Sequence, residues 1–435
     1  MTIKVISICQ LITYVYFMQA DSLIHRLQSS FRLALLFVIV ITPSLGTALS
    51  AMGRLLLVVS ALVVLVFGTR PKEDSSKLLY RSCLLTILLA IGYMALSSLW
   101  ADSGNDKVWT AWLRHARLLT IPLVYLLIYS YAEARQVLRV FMLGQMFVVF
   151  SAWLLVAGLK VPWATSKVAL ETYTVFGSYL EQSISQAVLV AMLWHQRQWV
   201  FGARGKWLAI AFAAITLVHT LGFLIGRSGH VVALGLIALA IVYELPRRWK
   251  WIALVVPFAV LALALVSSKN FRDRAQVIQN EIQIFNKKAD VTTSSGQRLF
   301  YWQTSLKAIA EQPILGYGSG SWNMQYRRLE DGKASPETLT VVDPHQLFLL
   351  WAVEGGMVGL ILLCAVLVAL YRRSRQLEVH DARTLQSVLA ALIISGMFNS
   401  MIFGIGMGDF FCVGLGICLA LARRQDQPEA SINHG

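Results

Sequence analysis

Long apolar runs recur along almost the whole chain, and they limit the possible folds more than any other feature. Each run is close to the length of about 20 residues that a helix needs to cross a membrane. We distinguish twelve: residues 31–49, 52–68, 80–100, 111–131, 136–159, 176–198, 206–225, 229–244, 250–267, 345–370, 384–404 and 407–422. Only 14% of the 435 residues are charged, whereas a soluble domain has about 25%. The sequence therefore predicts an all-α polytopic membrane protein with twelve transmembrane helices, and it excludes a soluble enzyme.

The runs divide the chain into five parts, and the charges between them predict an orientation. Residues 1–30 form a leader or interfacial segment, 31–267 hold helices one to nine, 268–344 form a long loop, 345–422 hold helices ten to twelve, and 423–435 form a cytoplasmic tail. Lysine and arginine concentrate in the cytoplasmic loops of membrane proteins. With the amino terminus in the cytoplasm, the short inner loops are all basic: 70–77, 135–139, 197–206, 247–250 and 372–375. The long loop then lies on the outer side.

The net charge of +15 has two readings, nucleic-acid binding or membrane orientation. The basic residues lie in clusters between apolar runs, which favours positive inner loops and an affinity for anionic lipid. We therefore expect membrane lipids as partners, and no nucleic acid. The five cysteines have neither the pattern of a disulfide framework nor the spacing of a metal site. The sequence predicts no metal and no cofactor.

The loop 268–344 is too long to be a plain connection, and it contains two helical patterns. Apolar residues recur in it at steps of three and four, which is the spacing of one helix face. The first set is Phe271, Ala275, Ile278, Ile282 and Phe285, and the second is Leu299, Trp302, Leu306 and Ala310. Pro313 and Gly316 end the second helix. The loop is therefore predicted to form a small extracytoplasmic cap of amphipathic helices on the bundle.

His345 is the strongest single candidate for chemistry. It follows Asp343 and Pro344 at the outer mouth of the tenth run, and Glu354 lies deeper in the same run. An imidazole titrates near neutral pH and can act as a general base toward a hydroxyl group. Either Asp343 or Glu354 could orient it. The alternative is a histidine at a helix start that only hydrogen-bonds to loop carbonyls.

Two arginines on the outer side are candidates for binding an anionic lipid head group. Arg227 lies in the tight turn between the seventh and eighth runs, and Arg298 lies near the start of the second cap helix. Arginine is always charged and binds phosphate through two parallel hydrogen bonds. Arg114 and Arg117, at the outer end of the fourth run, are reserve candidates of the same kind. The alternative for each is a side chain that reaches up to lipid phosphate.

Aromatic residues of the cap could stack on sugar rings. They are Trp302, Tyr317, Trp322 and Tyr326. The same composition is typical of the aromatic belt at a membrane interface, so both interpretations stay open. Tyr317, in a glycine-rich turn, is kept as a supporting candidate.

These features together resemble a known superfamily. The motifs are Gln297–Trp302, Pro313–Gly318, His345 followed by Glu354–Gly356, and the turn Gly226–Gly229. They are similar to those of the O-antigen ligases, the O-antigen polymerases and the bacterial protein O-oligosaccharyltransferases. The strong part of the resemblance covers about residues 296–360. The histidine of that superfamily usually precedes an asparagine, whereas Gln346 follows here and keeps an amide.

Loop lengths favour the ligase among these three activities. The polymerases typically carry two sizeable outer loops, but the loop after the fifth run has only about 16 residues. The protein-targeting transferases often carry a domain after the last helix, but here only about 13 residues follow it. The polymerase and the protein transferase remain the alternatives within the superfamily.

The resemblance implies a metal-independent glycosyltransferase of the GT-C type in the inner membrane of a Gram-negative bacterium, with its active site facing the periplasm. It implies transfer of polysaccharide from undecaprenyl diphosphate to lipid A–core oligosaccharide, with inversion of the anomeric carbon. His345 would be the base, and Arg227 and Arg298 would bind the diphosphate.

Two other classes of protein stay open, a polysaccharide–lipid transporter and a scaffold for other glycan enzymes. Transporters usually show internal repeats and polar sites at mid-membrane. The chain has no long-period repeat and few ionisable residues at mid-run, and its polar candidates gather on the outer side. This distribution favours chemistry at the surface over translocation.

Overall fold

A computed structural model describes residues 29–67, 77–164, 169–267, 293–332 and 338–426, together with 272–273, 276–277, 279–281 and 283. Within these residues every regular element is a helix, as predicted. In chain order they are α1 (Ser29–Ser44), α2 (Thr47–Phe67), α3 (Lys77–Leu96), α4 (Asn105–His115), α5 (Thr120–Leu127), α6 (Tyr131–Val156), α7 (Ala169–Thr172), α8 (Tyr179–His195), α9 (Lys206–Gly222), α10 (Arg227–Glu244), α11 (Ile252–Ser267), α12 (Ser294–Glu311), α13 (Trp322–Leu329), α14 (Leu347–Ser374), α15 (Val379–Gly396) and α16 (Ile405–Ala420). Short 3₁₀ turns link several of them.

Six of these helices are long and apolar enough to cross a membrane. Two shorter apolar helices, α1 and α9, add to them. The chain is therefore a multi-pass membrane protein. Each of the twelve apolar runs overlaps a helix, but the count of twelve crossings stays a prediction.

The centre of the bundle is α16, which is surrounded by α2, α5, α6 and α15. About 94% of its apolar stretch is buried, against 22% for α2, which turns most of its surface outward. Glycines allow this close packing, because a β-carbon at Gly416 would lie 2.8 Å from the carbonyl oxygen of Ile121. An ion pair between Arg54 and Asp409, 2.8 Å long, joins α2 to the start of α16.

The fourth apolar run is not one helix, which corrects the prediction for residues 111–131. It is divided into α4, a 3₁₀ turn at Ala116–Leu119, and α5. Proline lacks the N–H that a helix interior needs and is tolerated only in a first turn. Pro122 satisfies that rule because α5 begins two residues before it. The bend turns Arg114, His115 and Arg117 toward three different neighbours.

The cap contains the second helix that the sequence predicts, as α12. Thr293 accepts the N–H of Gly296 at 3.1 Å and begins the helix, which ends at Glu311 before Pro313. The core of the cap, packed between α12, α13 and α14, includes Phe300, Tyr301, Trp322 and Tyr326. The first predicted cap helix, 271–285, lies largely outside the described residues.

A segment of the cap crosses α14 at a break in that helix. Gly356 has φ 61° and ψ −161°, so the helical hydrogen bonds stop there. Residues 313–318 replace them: Tyr317 N–H donates to Val353 O at 2.9 Å, and Met357 N–H donates to Pro313 O at 2.8 Å. Gly316 lies so close that a β-carbon would be 2.4 Å from the nitrogen of Gly356. Gly316 and Gly356, one from each motif, therefore allow this crossing.

Candidate functional site

A cleft of about 380 Å³ opens at the end of the bundle where the cap lies. Its walls come from the starts of α8, α14 and α16, from the end of α4, and from the turn between α15 and α16. The residues that line it include Arg114, Ser178, Glu181, Asp343, His345, Asn399, Phe403 and Gly404. The sequence had placed His345, Asp343 and Arg114 among its candidates, and the fold brings these three together.

His345 stands at the mouth of the cleft in a constrained conformation. Its φ of 51° lies in the left-handed region, which is uncommon for a residue with a side chain. Asp343 Oδ1 accepts the backbone N–H of His345 at 2.8 Å, and Trp302 Nε1 donates to Pro344 O at 3.1 Å. Gln346 then caps α14 by accepting the N–H of Leu349. The residues on both sides of His345 thus hold its backbone in place.

The imidazole of His345 has its Nδ1 nitrogen toward a carboxylate, and the residue lines the cleft. Nδ1 lies 3.4 Å from Asp343 Oδ1, and 42% of the side chain is exposed. No described residue hydrogen-bonds to Nε2. A carboxylate beside Nδ1 favours the tautomer with the proton on that nitrogen, which leaves a lone pair on Nε2. This is the arrangement that a general base requires.

Asp343 keeps its charge in this environment. Its side chain is largely buried, which by itself raises the pKa of a carboxyl group. The hydrogen bonds and charge interaction with His345 outweigh that effect and hold the pKa of Asp343 below its usual value. Asp343 is therefore an anion at neutral pH and is able to orient the imidazole.

The two arginines proposed for an anionic head group lie side by side behind one wall of the cleft. Arg298 Nη2 approaches Asn399 Oδ1 at 3.5 Å, and Asn399 Nδ2 donates to Ser228 Oγ at 2.8 Å. Arg227 Nη1 donates to Ser295 Oγ at 2.7 Å and lies 3.4 Å from Glu281 Oε2. Asn399 therefore connects α10, α12 and the cleft.

The positive charge at this wall is only partly compensated. Burial, and then the neighbouring charge of Arg227, lower the pKa of Arg298 from its usual value. Like charges side by side favour the binding of an anion, which relieves their repulsion. The one described carboxylate that contacts them is Glu281.

The turn Gly226–Gly229 brings Arg227 to this position by close packing. A β-carbon at Gly226 or at Gly229 would lie 2.2 Å from Ser183 Oγ of α8. The start of α10 can therefore touch α8 only because both positions are glycine. The sequence had singled out this turn for its arginine, and the structure explains its glycines.

Three helix starts surround the cleft and add to its positive potential. Ser178 is the N-cap of α8, Gly404 is the N-cap of α16, and His345 precedes Gln346, the N-cap of α14. The first N–H groups of a helix carry a partial positive charge that attracts anions. Together with the arginines they make this cleft suited to a negatively charged substrate.

Arg114 and Arg117 have different environments. Arg114 lines the cleft and places its guanidinium over the ring of Phe403, 4.6 Å from the centroid. Arg117 is buried, and its Nη1 donates to the carbonyl oxygens of Ile402 and Phe403. Arg114 lines the cleft, whereas Arg117 holds the turn between α15 and α16.

Glu354 does not orient His345, because the structure pairs it with another histidine. His115 Nε2 lies 2.7 Å from Glu354 Oε2, and both side chains are almost fully buried. His115 was not among the candidates selected from the sequence. Two features of the sequence could have indicated this pair. His115 is a histidine within an apolar run, next to Arg114, and Glu354 is a glutamate within another apolar run.

Tyr317 and most of the aromatic residues considered for sugar stacking lie elsewhere. The hydroxyl of Tyr317 donates to Glu311 Oε2 at 2.9 Å, on the surface of the cap. Trp322 and Tyr326 are each only 1% exposed and form the core of the cap. None of these three lines the cleft.

Residues 212–364 match the model of a protein family described as O-antigen ligase. This stretch carries α10, with Arg227, the described part of the cap, with Arg298, and the start of α14, with His345. This matched part, roughly a third of the chain, is similar to the O-antigen ligase superfamily. The expectation drawn from the sequence motifs is thereby confirmed at the level of the superfamily, whose members include ligases and polymerases.

A curated relative extends the comparison without assigning an activity. The chain is 26% identical over 180 residues to an uncharacterized protein of Haemophilus influenzae. The aligned part makes up 40% of this chain and 45% of that relative. The chain therefore spans about half the length of this curated relative.

Proposed function

We propose that this protein is an O-antigen ligase of the GT-C type. It transfers polysaccharide from undecaprenyl diphosphate to lipid A–core oligosaccharide, at the periplasmic face of the inner membrane. The observation that carries this proposal is the cleft lined by His345 and Asp343, two residues that lie in the matched part of the chain. His345 lines this cleft, and Asn399, another of its lining residues, contacts Arg298, whose neighbour is Arg227.

His345 is the base in the proposed reaction. A sugar hydroxyl of the acceptor is a poor nucleophile until its proton is taken as the new bond forms. Nε2 accepts that proton, and Asp343, next to Nδ1, stabilises the resulting imidazolium. The hydroxyl oxygen forms a bond to the anomeric carbon of the donor.

The diphosphate leaves without needing a proton. The bond between the anomeric carbon and the diphosphate oxygen breaks, and its electron pair stays on that oxygen. Positive groups already in place stabilise such growing charge strongly, because they need no reorganisation. Arg298 and Arg227 supply this charge in the proposal, without a metal ion. Attack opposite to the leaving group inverts the anomeric carbon.

The test is a transfer assay with defined substrates. Purified protein is mixed with undecaprenyl-diphosphate glycan and lipid A–core in the presence of EDTA, and the lipopolysaccharide is separated on a gel. The wild type is expected to produce a ladder, and His345→Ala is expected to produce none. His380→Ala is the matched control, because His380 does not line the cleft.

Other outcomes would refute the proposal in distinct ways. Longer chains on the undecaprenyl carrier, with no transfer to lipid A–core, would indicate a polymerase. If His345→Ala produces the same ladder as the wild type, His345 is not the base. Loss of the wild-type ladder in EDTA, restored by a divalent cation, would contradict the metal-independent mechanism.

A further inference from the structure

Arg114 is a cation in the cleft that the proposed reaction does not yet use. It lines the same cleft as His345 but comes from α4, on the other side of Phe403. Its guanidinium stacks on that ring, and no hydrogen bond or ion pair joins it to any described residue. Arg298, in contrast, reaches the cleft through Asn399. The site therefore has one cation that lines the cleft, Arg114, and a separate one behind its wall, Arg298.

The carboxylates of the cleft are already engaged. Asp343 accepts hydrogen bonds from His345. Glu181 Oε2 accepts the backbone N–H of Ser178 at 3.2 Å and completes the cap of α8. A buried or half-buried arginine without a carboxylate partner is costly unless a ligand supplies one. Arg114 is thus available for an anionic group that enters the cleft.

A buried pair holds Arg114 in this position. The residue after it, His115, bonds to Glu354 of α14 at 2.7 Å and packs edge-on against Trp351, with 4.8 Å between centroids. The exposures are 2% for His115 and 0% for Glu354. The second oxygen of Glu354, Oε1, is buried with no hydrogen-bond partner in the described part of the chain. Such a pair fixes the end of α4 to the helix that begins beside His345.

Arg117 adds a second constraint on the same segment. Its hydrogen bonds to the carbonyl oxygens of Ile402 and Phe403 tie the 3₁₀ turn after α4 to the ring on which Arg114 stacks. Arg114 is therefore positioned by the residues on both sides of it in the chain.

We propose that Arg114 forms a second anion-binding subsite, which takes a phosphate group of the acceptor glycolipid, and that His115 and Glu354 are its positioning residues. The assignment to the acceptor rests on the proposed function, in which Arg298 and Arg227 take the diphosphate of the donor. A transfer between two large substrates needs each to be held separately beside His345.

The test measures binding without turnover. Wild type and Arg114→Gln are placed in nanodiscs, and the affinity for lipid A–core is measured by thermophoresis, before and after its phosphates are removed with phosphatase. A charge-assisted contact of this kind corresponds to about a tenfold change in affinity or more. Arg114→Gln is expected to weaken binding of the phosphorylated glycolipid by that factor and to leave binding of the dephosphorylated one unchanged.

A second titration, with undecaprenyl diphosphate, distinguishes the two possible sources of the anion. Arg298→Gln is expected to weaken its binding, and Arg114→Gln is not. The reverse result for Arg114 would place it in the donor site and overturn the proposal. If Arg298→Gln also has no effect, the proposed donor site fails while the assignment of Arg114 stands on its own data.

The matched control is Arg135→Gln, since Arg135 also stacks on an aromatic ring, that of Trp199 at 4.1 Å, but does not line the cleft. It is expected to bind both ligands as the wild type does. An equal loss in Arg135→Gln and Arg114→Gln would show a nonspecific effect of charge and overturn the proposal.

The positioning role has its own pair of variants. His115→Gln keeps an N–H that can reach Glu354, and His115→Phe does not. Among proteins that still fold by size-exclusion chromatography, His115→Phe is expected to lose the preference for the phosphorylated glycolipid, and His115→Gln to keep it. Full preference in folded His115→Phe would overturn the role of the pair. If His115→Phe does not fold, Glu354→Gln is measured in the same way.

Discussion

Replacing Gly356 by alanine is expected to open the junction between α14 and residues 313–318. The φ and ψ of Gly356, 61° and −161°, fall in a region that only glycine occupies readily. A β-carbon there would lie 2.2 Å from the carbonyl oxygen of Ile314. That oxygen belongs to the backbone and cannot rotate away, so one of the two segments has to move.

The size of the loss follows from the contacts at the junction. The backbone strain alone is about 1–3 kcal/mol. The hydrogen bonds of the N–H groups of Tyr317, Gly318, Met357 and Val358 cross the same junction, and each contributes about 0.5–1.5 kcal/mol. The expected loss is therefore on the order of 3 kcal/mol or more. A loss of this size is expected to lower the melting temperature measurably.

The assay is thermal unfolding in detergent, followed by tryptophan fluorescence. Gly92→Ala is the control, because Gly92 lies inside α3 and a β-carbon there meets no atom within 4 Å. That variant is expected to melt as the wild type does or slightly higher, since alanine favours a helix. Equal melting of Gly356→Ala and Gly92→Ala would refute the reasoning. Unchanged melting with lost activity would mean that Gly356 serves the substrate instead of the fold.

Three further predictions concern the cleft and the cap. Asp343→Asn is expected to lower the transfer rate by about a hundredfold, because a neutral amide no longer stabilises the imidazolium that forms on His345. The pKa of Asp343 is lowered, so its charge contributes fully at neutral pH and is lost only as the pH falls through that lowered value. An unchanged rate in Asp343→Asn would contradict the orienting role. Trp322→Ala is expected to destabilise the cap by about 3–5 kcal/mol, measured as loss of protease resistance, with Trp322→Phe losing less because it gives up mainly the 2.8 Å bond to Ser305. Glu311→Gln, on the surface, is expected to leave the melting temperature unchanged, and a clear decrease would show that its contact with Arg328 matters.

The helical architecture was determined by the sequence alone. Twelve runs of apolar residues cannot form anything but buried or membrane-spanning helices, and each of them overlaps a helix in the structure. The second cap helix was equally determined, because Leu299, Trp302 and Leu306 follow the helical period and Pro313 cannot continue it. Local sequence is enough to determine where these helices form and end, because hydrophobic periodicity and helix-ending residues act over a few neighbouring positions.

The candidate site was only half determined in this way. The sequence was enough to select a histidine after Asp-Pro at the mouth of a helix, and arginines at helix starts. Ionisable groups at the ends of membrane helices are costly and are usually kept for a function. The sequence could not state that Asp343, and not Glu354, lies beside His345. That choice depends on the left-handed backbone of His345 and on the contact of Trp302 with Pro344.

Tertiary packing alone decided which groups pair across the bundle. His115 and Glu354 are 239 residues apart, and no local pattern predicts that two such positions form a hydrogen bond in the interior. The same holds for Arg114 and Arg117, which look alike in the sequence. The bend before Pro122 turns one of them into the cleft and the other onto the carbonyl oxygens of Ile402 and Phe403. The spacing of hydrophobic residues determines which segments become helices. The partner of a buried polar group is determined by the helices that pack around it.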